Sequence, residues 1–365
     1  MTRDWYMSLI EGRRKGPAAA LARGGLSALS LPYGAAIAGR NSMYESGILR
    51  SEKLPIPVVS VGNLTAGGTG KTPFVELIMR KLQAAGHKPG LLSRGYGRVG
   101  NVSGQPINDE LLVLRDNLGD FPAYIGPDRA ANGRLAVSRG DCDCLVMDDG
   151  FQHRRLRRDI DIVMIDATNP LGHGRLLPRG LLREPFESIR RARVVVLNRV
   201  DMADPSRVLE IEAAVRRTAA GCVLLKAGHQ VIGFLRSSDA ECFPTVNFSG
   251  KRVFAACGIG NPESFFRLLE MLGLEVVGKL AFPDHCAFEP GDIREIEETR
   301  KSCSAETVIV TQKDIVKIAA VVKESGSGLA GLEKWFTLLI RTELVSGEAE
   351  LDGLLTELWP ESRKG

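Results

Sequence analysis

Residues Ala66-Gly67-Gly68-Thr69-Gly70-Lys71-Thr72 combine glycines, a lysine and a threonine in an order suited to binding phosphate. Glycines let backbone N–H groups turn inward onto phosphate oxygens without a Cβ clash. A helix beginning just beyond them adds its partly positive N-terminus. Lys71 would then reach the β- and γ-phosphates, and the Thr72 hydroxyl would bind Mg²⁺. The run Val58–Val61 ahead of the loop reads as a strand, so the context is strand, loop, helix. A strict Walker A loop has glycine where this chain has Thr65. The competing reading is a tight glycine turn with a surface lysine; the Gly-Gly-Thr-Gly-Lys-Thr core between strand and helix argues for nucleotide phosphate.

Downstream, Leu145-Val146-Met147 is an apolar run ending in Asp148-Asp149-Gly150. A carboxylate closing a strand beside a phosphate loop holds Mg²⁺ across from the loop hydroxyl, so at least one of Asp148 and Asp149 is assigned that duty. Without the phosphate loop, the same pair would read as a solvated turn. A charge run follows in Phe151-Gln152-His153-Arg154-Arg155-Leu156-Arg157-Arg158-Asp159, and Arg190–Arg193 is a second. Such runs are ordinarily solvated faces; directly after a metal aspartate, the first could also neutralise phosphate on a second substrate. His153 reads as a ligand, a base or a hydrogen-bonded structural histidine. Asn198-Arg199-Val200-Asp201 follows an apolar run and faintly resembles the guanine-reading Asn-Lys-x-Asp of GTPases, with arginine replacing lysine.

These groups need a scaffold that holds a loop, strand ends and a helix start together. The 365 residues leave room for about two domains. With 44% hydrophobic and 25% charged residues, the balance is that of a soluble globular chain able to bury a core without disulfides. A net charge of +4 is too small over this length to argue for nucleic acid. Seven cysteines, odd in number and scattered, read as reduced thiols of a cytosolic compartment. Cys142 and Cys144 lack the second pair that a zinc site needs. No stretch reaches the roughly 18 uninterrupted apolar residues of a spanning helix. Pro17–Ala38 comes nearest, broken by Arg23, Gly24, Gly25, Pro32 and Gly34 and preceded by Arg13, Arg14 and Lys15. It reads either as an amphipathic region resting on a membrane surface or as helices packing on the protein's own core. The cysteines and the phosphate loop argue against an export signal.

From Ile56 onward, short β-branched runs alternate with helical stretches. Strands are expected at Ile56–Val61, Gly90–Ser93, Cys144–Met147, Ile160–Ile165 and Val194–Leu197. A helix is expected at Pro73–Ala85, with Val75, Ile78 and Leu82 on one face and a stop at Gly86. The alternation implies an α/β, P-loop NTPase-like fold: a mostly parallel sheet, helices on both faces, functional loops at the strand C-termini. A second series follows Gly221–Gly233, with strands at Arg252–Ala256, Val276–Phe282 and Thr307–Thr311. Its helices are one opened by Asn261 and Pro262 and ending at Gly273, and a charged one around Asp292–Lys301. The expected organisation is a helical membrane-docking region over 1–40, a P-loop domain over 41–225, and a smaller α/β domain over 226–365 that closes over the active site.

Together these stretches resemble the tetraacyldisaccharide 4′-kinases of lipid A biosynthesis, from about residue 40 to 320. The resemblance rests on Val61-Gly62-Asn63-Leu64 through Lys71-Thr72-Pro73, on Ser93-Arg94-Gly95-Tyr96-Gly97, and on Asp148-Asp149-Gly150-Phe151-Gln152-His153 with Arg158-Asp159. It continues in Leu177-Pro178-Arg179-Gly180 with Leu182-Arg183-Glu184-Pro185, then Gly258-Ile259-Gly260-Asn261-Pro262, Phe282-Pro283-Asp284-His285 and Thr311-Gln312-Lys313-Asp314. It implies ATP-dependent phosphorylation of the 4′-hydroxyl of a membrane-embedded tetraacyl disaccharide 1-phosphate. The enzyme would be peripheral, at the cytoplasmic face of the inner membrane, with no obligate protein partner.

The resemblance also implies a catalytic aspartate in a Gly-Asp-Glu-Pro segment, paired with a histidine of the second domain. Asn108-Asp109-Glu110-Leu111 keeps Asp-Glu without the flanking Gly and Pro, whereas Gly119-Asp120-Phe121-Pro122 keeps Gly, Asp and Pro without Glu. The spacing to Gly126-Pro127-Asp128-Arg129 favours Asp109. His285 matches the histidine; Cys286 stands where a second histidine is usual, and Gln312 where glutamate is usual. By the same resemblance, Glu184 helps to hold the metal.

On that reading Lys71, the loop amides and Mg²⁺ on Thr72 and Asp149 hold ATP, with Asp148, Arg94 and Arg129 as further candidates. Asp109 accepts the hydroxyl proton, and His285 orients it or raises its basicity. Each buried CH₂ is worth about 0.8 kcal/mol, so a four-chain lipid stays in the bilayer and the enzyme must come to it. Residues 1–40 are then the docking element, with Arg13, Arg14 and Lys15 near anionic headgroups. Two other functions fit parts of the pattern. A P-loop GTPase or ATPase switch would account for the phosphate loop and Asn198–Asp201 but not for Asp109 with His285. A kinase of a soluble small molecule would leave residues 1–40 dispensable.

Overall fold

The short apolar runs become strands of one sheet. The computed structural model describes residues 3–95, 98–102, 105–283, 286–324 and 332–359, the side chains of 3, 4, 98–102, 105–109 and 324 excepted. The first half contains α1 (Arg3–Ile10), α2 (Pro17–Glu45), β1 (Val58–Asn63), α3 (Lys71–Ala84), β2 (Pro89–Ser93), β3 (Arg98–Val102) and β4 (Gln105–Asn108). It continues with α4 (Asp109–Leu118), β5 (Ala123–Ile125), α5 (Arg129–Arg139), β6 (Cys144–Asp148), β7 (Ile160–Asp166) and β8 (Val194–Asn198). The second half comprises α6 (Pro205–Thr218), β9 (Val223–Arg236), β10 (Cys242–Phe243), β11 (Arg252–Cys257), α7 (Pro262–Met271) and β12 (Glu275–Ala281). After these come α8 (Pro290–Ser302), β13 (Thr307–Thr311), α9 (Gln312–Glu324), β14 (Trp335–Ser346) and α10 (Glu348–Thr356).

Twelve strands share a sheet in the order β12-β11-β13-β14-β9-β8-β7-β1-β6-β2-β5, with β10 added on β9. Every residue of β1, β2, β6, β7 and β8 is buried, as parallel strands covered on both faces require. β9 pairs antiparallel with β14 and parallel with β8, so these two long strands weld the halves of the chain into one sheet. Residue 226 lies within β9. The C-terminal α10 returns to the first half, where Leu351, Leu354 and Leu355 join Phe74, Ile78 and Leu82 of α3 in a common core. Lys81 ties the same helices through Glu348 at 2.6 Å and Asp352 at 2.9 Å.

In the N-terminal region, expected to be helical, a single helix α2 runs through Gly24, Gly25, Pro32 and Gly34. Proline inside a helix removes a backbone hydrogen bond, and contacts with the rest of the protein outweigh that loss. Ser30 Oγ donates to the Leu176 carbonyl at 3.1 Å, Tyr33 OH to the Arg183 carbonyl at 2.9 Å, and Asn41 Nδ2 to Glu184 Oε2 at 2.9 Å. A Cβ on Gly34 would stand 3.0 Å from Leu176 Cδ1, so glycine lets the helix lie close there. No residue of α2 is buried. Among the described residues, no helix is long and apolar enough to cross a membrane. All seven cysteines are free.

Candidate active site

The loop after β1 is held from both flanks. Asn63, the last residue of β1, donates through Nδ2 to the Thr65 carbonyl at 2.8 Å and to Thr69 Oγ1 at 3.0 Å. From the end of β8, Asn198 Nδ2 donates to the Thr69 carbonyl at 2.9 Å. Gly70 takes the left-handed conformation, φ +81, and caps α3, so Lys71 and Thr72 open the helix at the mouth of the loop. Gly67 also has positive φ, at +124. Thr65 is buried and pairs with Leu182 as in a short antiparallel bridge. It is not in the left-handed region, which is why a β-branched residue fits where a strict loop has glycine.

β6 lies beside β1 with Asp148 opposite Val61, which delivers both aspartates to the loop. Their environments differ. Asp149 accepts two hydrogen bonds from Arg183 Nη1, at 3.0 and 2.9 Å, and faces Lys71 Nζ at 3.4 Å. Burial alone would raise its pKa, but the charges of Lys71 and Arg183 outweigh that and hold it at about 2. Asp148 is buried, and its Oδ1 has no hydrogen-bond partner. Burial, and then the nearby Glu110 carboxylate, push its pKa well above the ordinary range against the pull of Lys71.

An orphaned carboxylate oxygen beside a helix-opening threonine fits a hard divalent cation, which seeks oxygen donors. Among the described residues, no cluster of three or more His, Cys, Asp or Glu is built to hold a metal. Mg²⁺ itself is commonly held by one or two carboxylates with the remaining ligands from phosphate and water. Glu184 does not join Thr72 and Asp148. It is fully buried, with Arg191 donating to its two oxygens at 2.9 and 3.2 Å and Asn41 donating at 2.9 Å.

These groups face a cavity of about 280 Å³. Its opposite wall comes from the second half: Ile259, Gly260 and Asn261 after β11, Phe265 and Leu268 of α7, Thr311, Gln312 and Lys313 at the β13–α9 junction, and Leu338 and Ile340 of β14. Arg94 and Arg129 also line it, and Arg129 donates to the Asp148 carbonyl at 2.9 Å. Asp109 opens α4; its side chain lies outside the described residues, but its neighbour Glu110 lines the cavity. Asp120 is exposed beyond the far end of α4, about 15 Å along the helix axis at 1.5 Å per residue. His285 lies outside the described residues.

Three sequence candidates lie off the cavity or are engaged elsewhere. His153 does not line the cavity; burial and the charge of Arg129 pull its pKa down to about 4, and its buried Nε2 has no hydrogen-bond partner. The arginine run after it grips neighbouring elements. Arg154 donates to the Asn41 carbonyl at 3.2 Å and lies over the Tyr44 ring, Arg155 pairs with Asp128 at 3.2 Å, and Arg158 pairs with Asp161. Asn198 and Asp201 do not form a guanine reader: Asn198 is spent on the phosphate loop, and Asp201 faces His229 Nδ1 at 3.2 Å. Sequence reasoning assigned no task to Arg183, which pairs with Asp149, or to Asn63, which ties the loop. Asn63 carried a local signal, as the polar residue closing an otherwise apolar strand.

Lys71, Thr72 and Asp148 converge from neighbouring elements of a parallel sheet onto one cavity, the arrangement of a P-loop nucleotide-binding protein. Comparison with known proteins narrows that class. The family model described as Tetraacyldisaccharide-1-P 4′-kinase matches residues 22–359, and the chain belongs to that family. A protein named Tetraacyldisaccharide 4′-kinase from Syntrophus aciditrophicus (strain SB) is 39% identical over 317 residues, covering 82% of this chain and 85% of its own length. One of the same name from Anaeromyxobacter dehalogenans (strain 2CP-1 / ATCC BAA-258) is 37% identical over 354 residues, covering 94% of this chain and 93% of its own. The crystal structure of LpxK from Aquifex aeolicus in complex with ATP superposes with a TM-score of 0.69 at 30% identity, covering 93% of this chain and 99% of that one.

Proposed function

We propose that this chain transfers the γ-phosphoryl group of ATP to the 4′-hydroxyl of a tetraacyldisaccharide 1-phosphate, with Mg²⁺ held by Thr72 and Asp148. The observation that carries this reading is the orphaned Oδ1 of Asp148 beside a loop that presents Lys71 and Thr72. Lys71 and the loop N–H groups hold the β- and γ-phosphates. Asp149, kept ionised by Arg183 and Lys71, fixes the direction of the lysine. Bound Mg²⁺ supplies charge neutralisation at the phosphate oxygens. Asp109 accepts the proton of the sugar hydroxyl as its oxygen forms the new bond to phosphorus. The bond to the β–γ bridging oxygen breaks and ADP leaves; His285 orients Asp109. A movement of the second half's wall toward the phosphate loop would bring the two together.

The lipid sets the location. Leu21, Leu29 and Leu31 of α2 are 81%, 58% and 75% exposed, and Arg13, Arg14 and Lys15 precede them. An apolar, positively flanked helix of this kind lies on an anionic bilayer surface. On this reading the chain works as a peripheral enzyme at the cytoplasmic face of the inner membrane.

The test is transfer of labelled γ-phosphate from ATP to detergent-dispersed tetraacyl disaccharide 1-phosphate by wild type, Asp109→Ala and Asp120→Ala. Transfer lost in Asp109→Ala alone supports the reaction and the base. Loss in Asp120→Ala alone keeps the reaction and moves the base. No transfer by folded, ATP-binding wild type overturns the reading.

A further inference from the structure

Thr311-Gln312-Lys313-Asp314 reaches the cavity, and the mechanism above leaves it without a task. The segment is built with care. Asp314 is wholly buried and accepts hydrogen bonds from Thr311 Oγ1 at 2.6 Å and from the Gly258 backbone N–H at 3.0 Å, with Lys317 Nζ at 3.2 Å. Those contacts bolt the first turn of α9 to the loop after β11. Gln312 Nε2 reaches across to Asn117 Oδ1 of α4 at 3.3 Å. Between these anchors, Lys313 projects toward the first half of the chain, its Nζ 3.1 Å from Glu110 Oε1. Its charge also bears on Asp148, the proposed cation ligand.

We propose that Lys313 is a second cationic contact for the phosphoryl group in transfer, delivered from the wall opposite Lys71, with Glu110 as its resting partner. The proposal rests on the kinase reading above. Phosphoryl transfer spreads negative charge over three equatorial oxygens, and the phosphate loop approaches them from one side only. A cation preorganised on the facing wall stabilises charge where it develops. Lys313 has that placement: it shares the cavity with Lys71 and Thr72, belongs to the other half of the chain, and stands in the first turn of a 13-residue helix. Its pair with Glu110 is partly open to solvent, at 27% and 19% side-chain exposure. A partly solvated pair of this kind is weak, so the ammonium can move from a carboxylate to a more highly charged phosphate at modest cost. The bland alternative is a latch between the halves, and a latch fails equally when either partner is removed.

The experiment uses the full chain and the variants Lys313→Met, Lys313→Arg and Glu110→Gln. Affinities for ADP and for a non-hydrolysable ATP analogue are measured beside kcat and KM for lipid phosphorylation, with melting temperatures as the folding control. Lys313→Met is expected to lower kcat about 100-fold. It should also lower the preference for triphosphate over diphosphate by about 10-fold, leaving ADP affinity unchanged. Lys313→Arg restores part of both, and Glu110→Gln leaves the triphosphate preference in place. Two results overturn the proposal: Lys313→Met keeps kcat and the preference, or both partners' variants lose kcat alike with the preference intact. Should wild type bind ATP yet phosphorylate no lipid, the kinase reading fails. The triphosphate preference then still decides the role of Lys313.

Discussion

Gly70→Ala probes how the phosphate loop is held. Gly70 sits at φ +81 and ψ 28, and a left-handed non-glycine residue costs roughly 1–2 kcal/mol. The new Cβ would stand 2.3 Å from Asn198 Nδ2, so Asn198 must withdraw. Its bond to the Thr69 carbonyl then breaks, and a buried acceptor left unpaired costs roughly 1–3 kcal/mol. The expected destabilisation is the sum, about 2–5 kcal/mol. In an Asn198→Ala background the overlap is gone and the bond already lost, so Gly70→Ala should cost only the backbone strain. A double-mutant cycle should therefore show a coupling of about 1–3 kcal/mol. Urea unfolding of the four proteins reads the coupling, and ATP titration of the same samples should show both single variants binding more weakly. Additive costs within about 0.5 kcal/mol, or undiminished ATP affinity in Gly70→Ala, would refute the clamp.

Asp148 carries a raised pKa, so as pH climbs above its ordinary 3.8 the fold loses stability that a neutral side chain would keep. Asp148→Asn should therefore raise the melting temperature of metal-free protein at pH 8, with the gain vanishing below about pH 4, while Mg²⁺-dependent transfer falls about 100-fold; a lowered melting temperature at pH 8 contradicts the assignment. Glu184→Ala strands the Arg191 charge and should cost about 3–5 kcal/mol in unfolding experiments without Mg²⁺. An unchanged stability with a raised Mg²⁺ requirement would return Glu184 to the metal set. Replacing Leu21, Leu29 and Leu31 together by glutamate should leave the melting temperature alone, since all three are exposed. It should abolish recovery on anionic vesicles, because each buried leucine contributes about 1.5–3 kcal/mol; equal recovery would dismiss α2 as the docking element.

The parallel core was legible because its signals are local. Each of β1, β6, β7 and β8 is a buried apolar run closed by a turn, and α3 begins where glycine gives way to Lys71. The β9–β14 weld was not legible: its pairs, such as Leu235 with Thr337, join residues remote in sequence, and both strands mix buried with exposed positions. The same distinction governs the long helix α2. Its glycines and proline weaken helix locally, and contacts with residues 152–184, remote in sequence, hold it in place.

The site divides along this line too. Residue types placed a lysine, a threonine and two adjacent carboxylates around a phosphate. They could not say which carboxylate is committed, because the partner that decides it, Arg183, lies 34 residues from Asp149. Likewise, Glu184 is claimed by Asn41, 143 residues away, and by Arg191. Neighbouring aspartates with identical chemistry thus acquire opposite charge preferences from partners that only the fold supplies. Lys71 and Arg183 hold Asp149 low, whereas burial and Glu110 raise Asp148, whose buried Oδ1 lacks a hydrogen-bond partner. On the reading proposed above, two adjacent residues pushed apart in pKa would let one strand end serve both the nucleotide's phosphates and the metal that accompanies them.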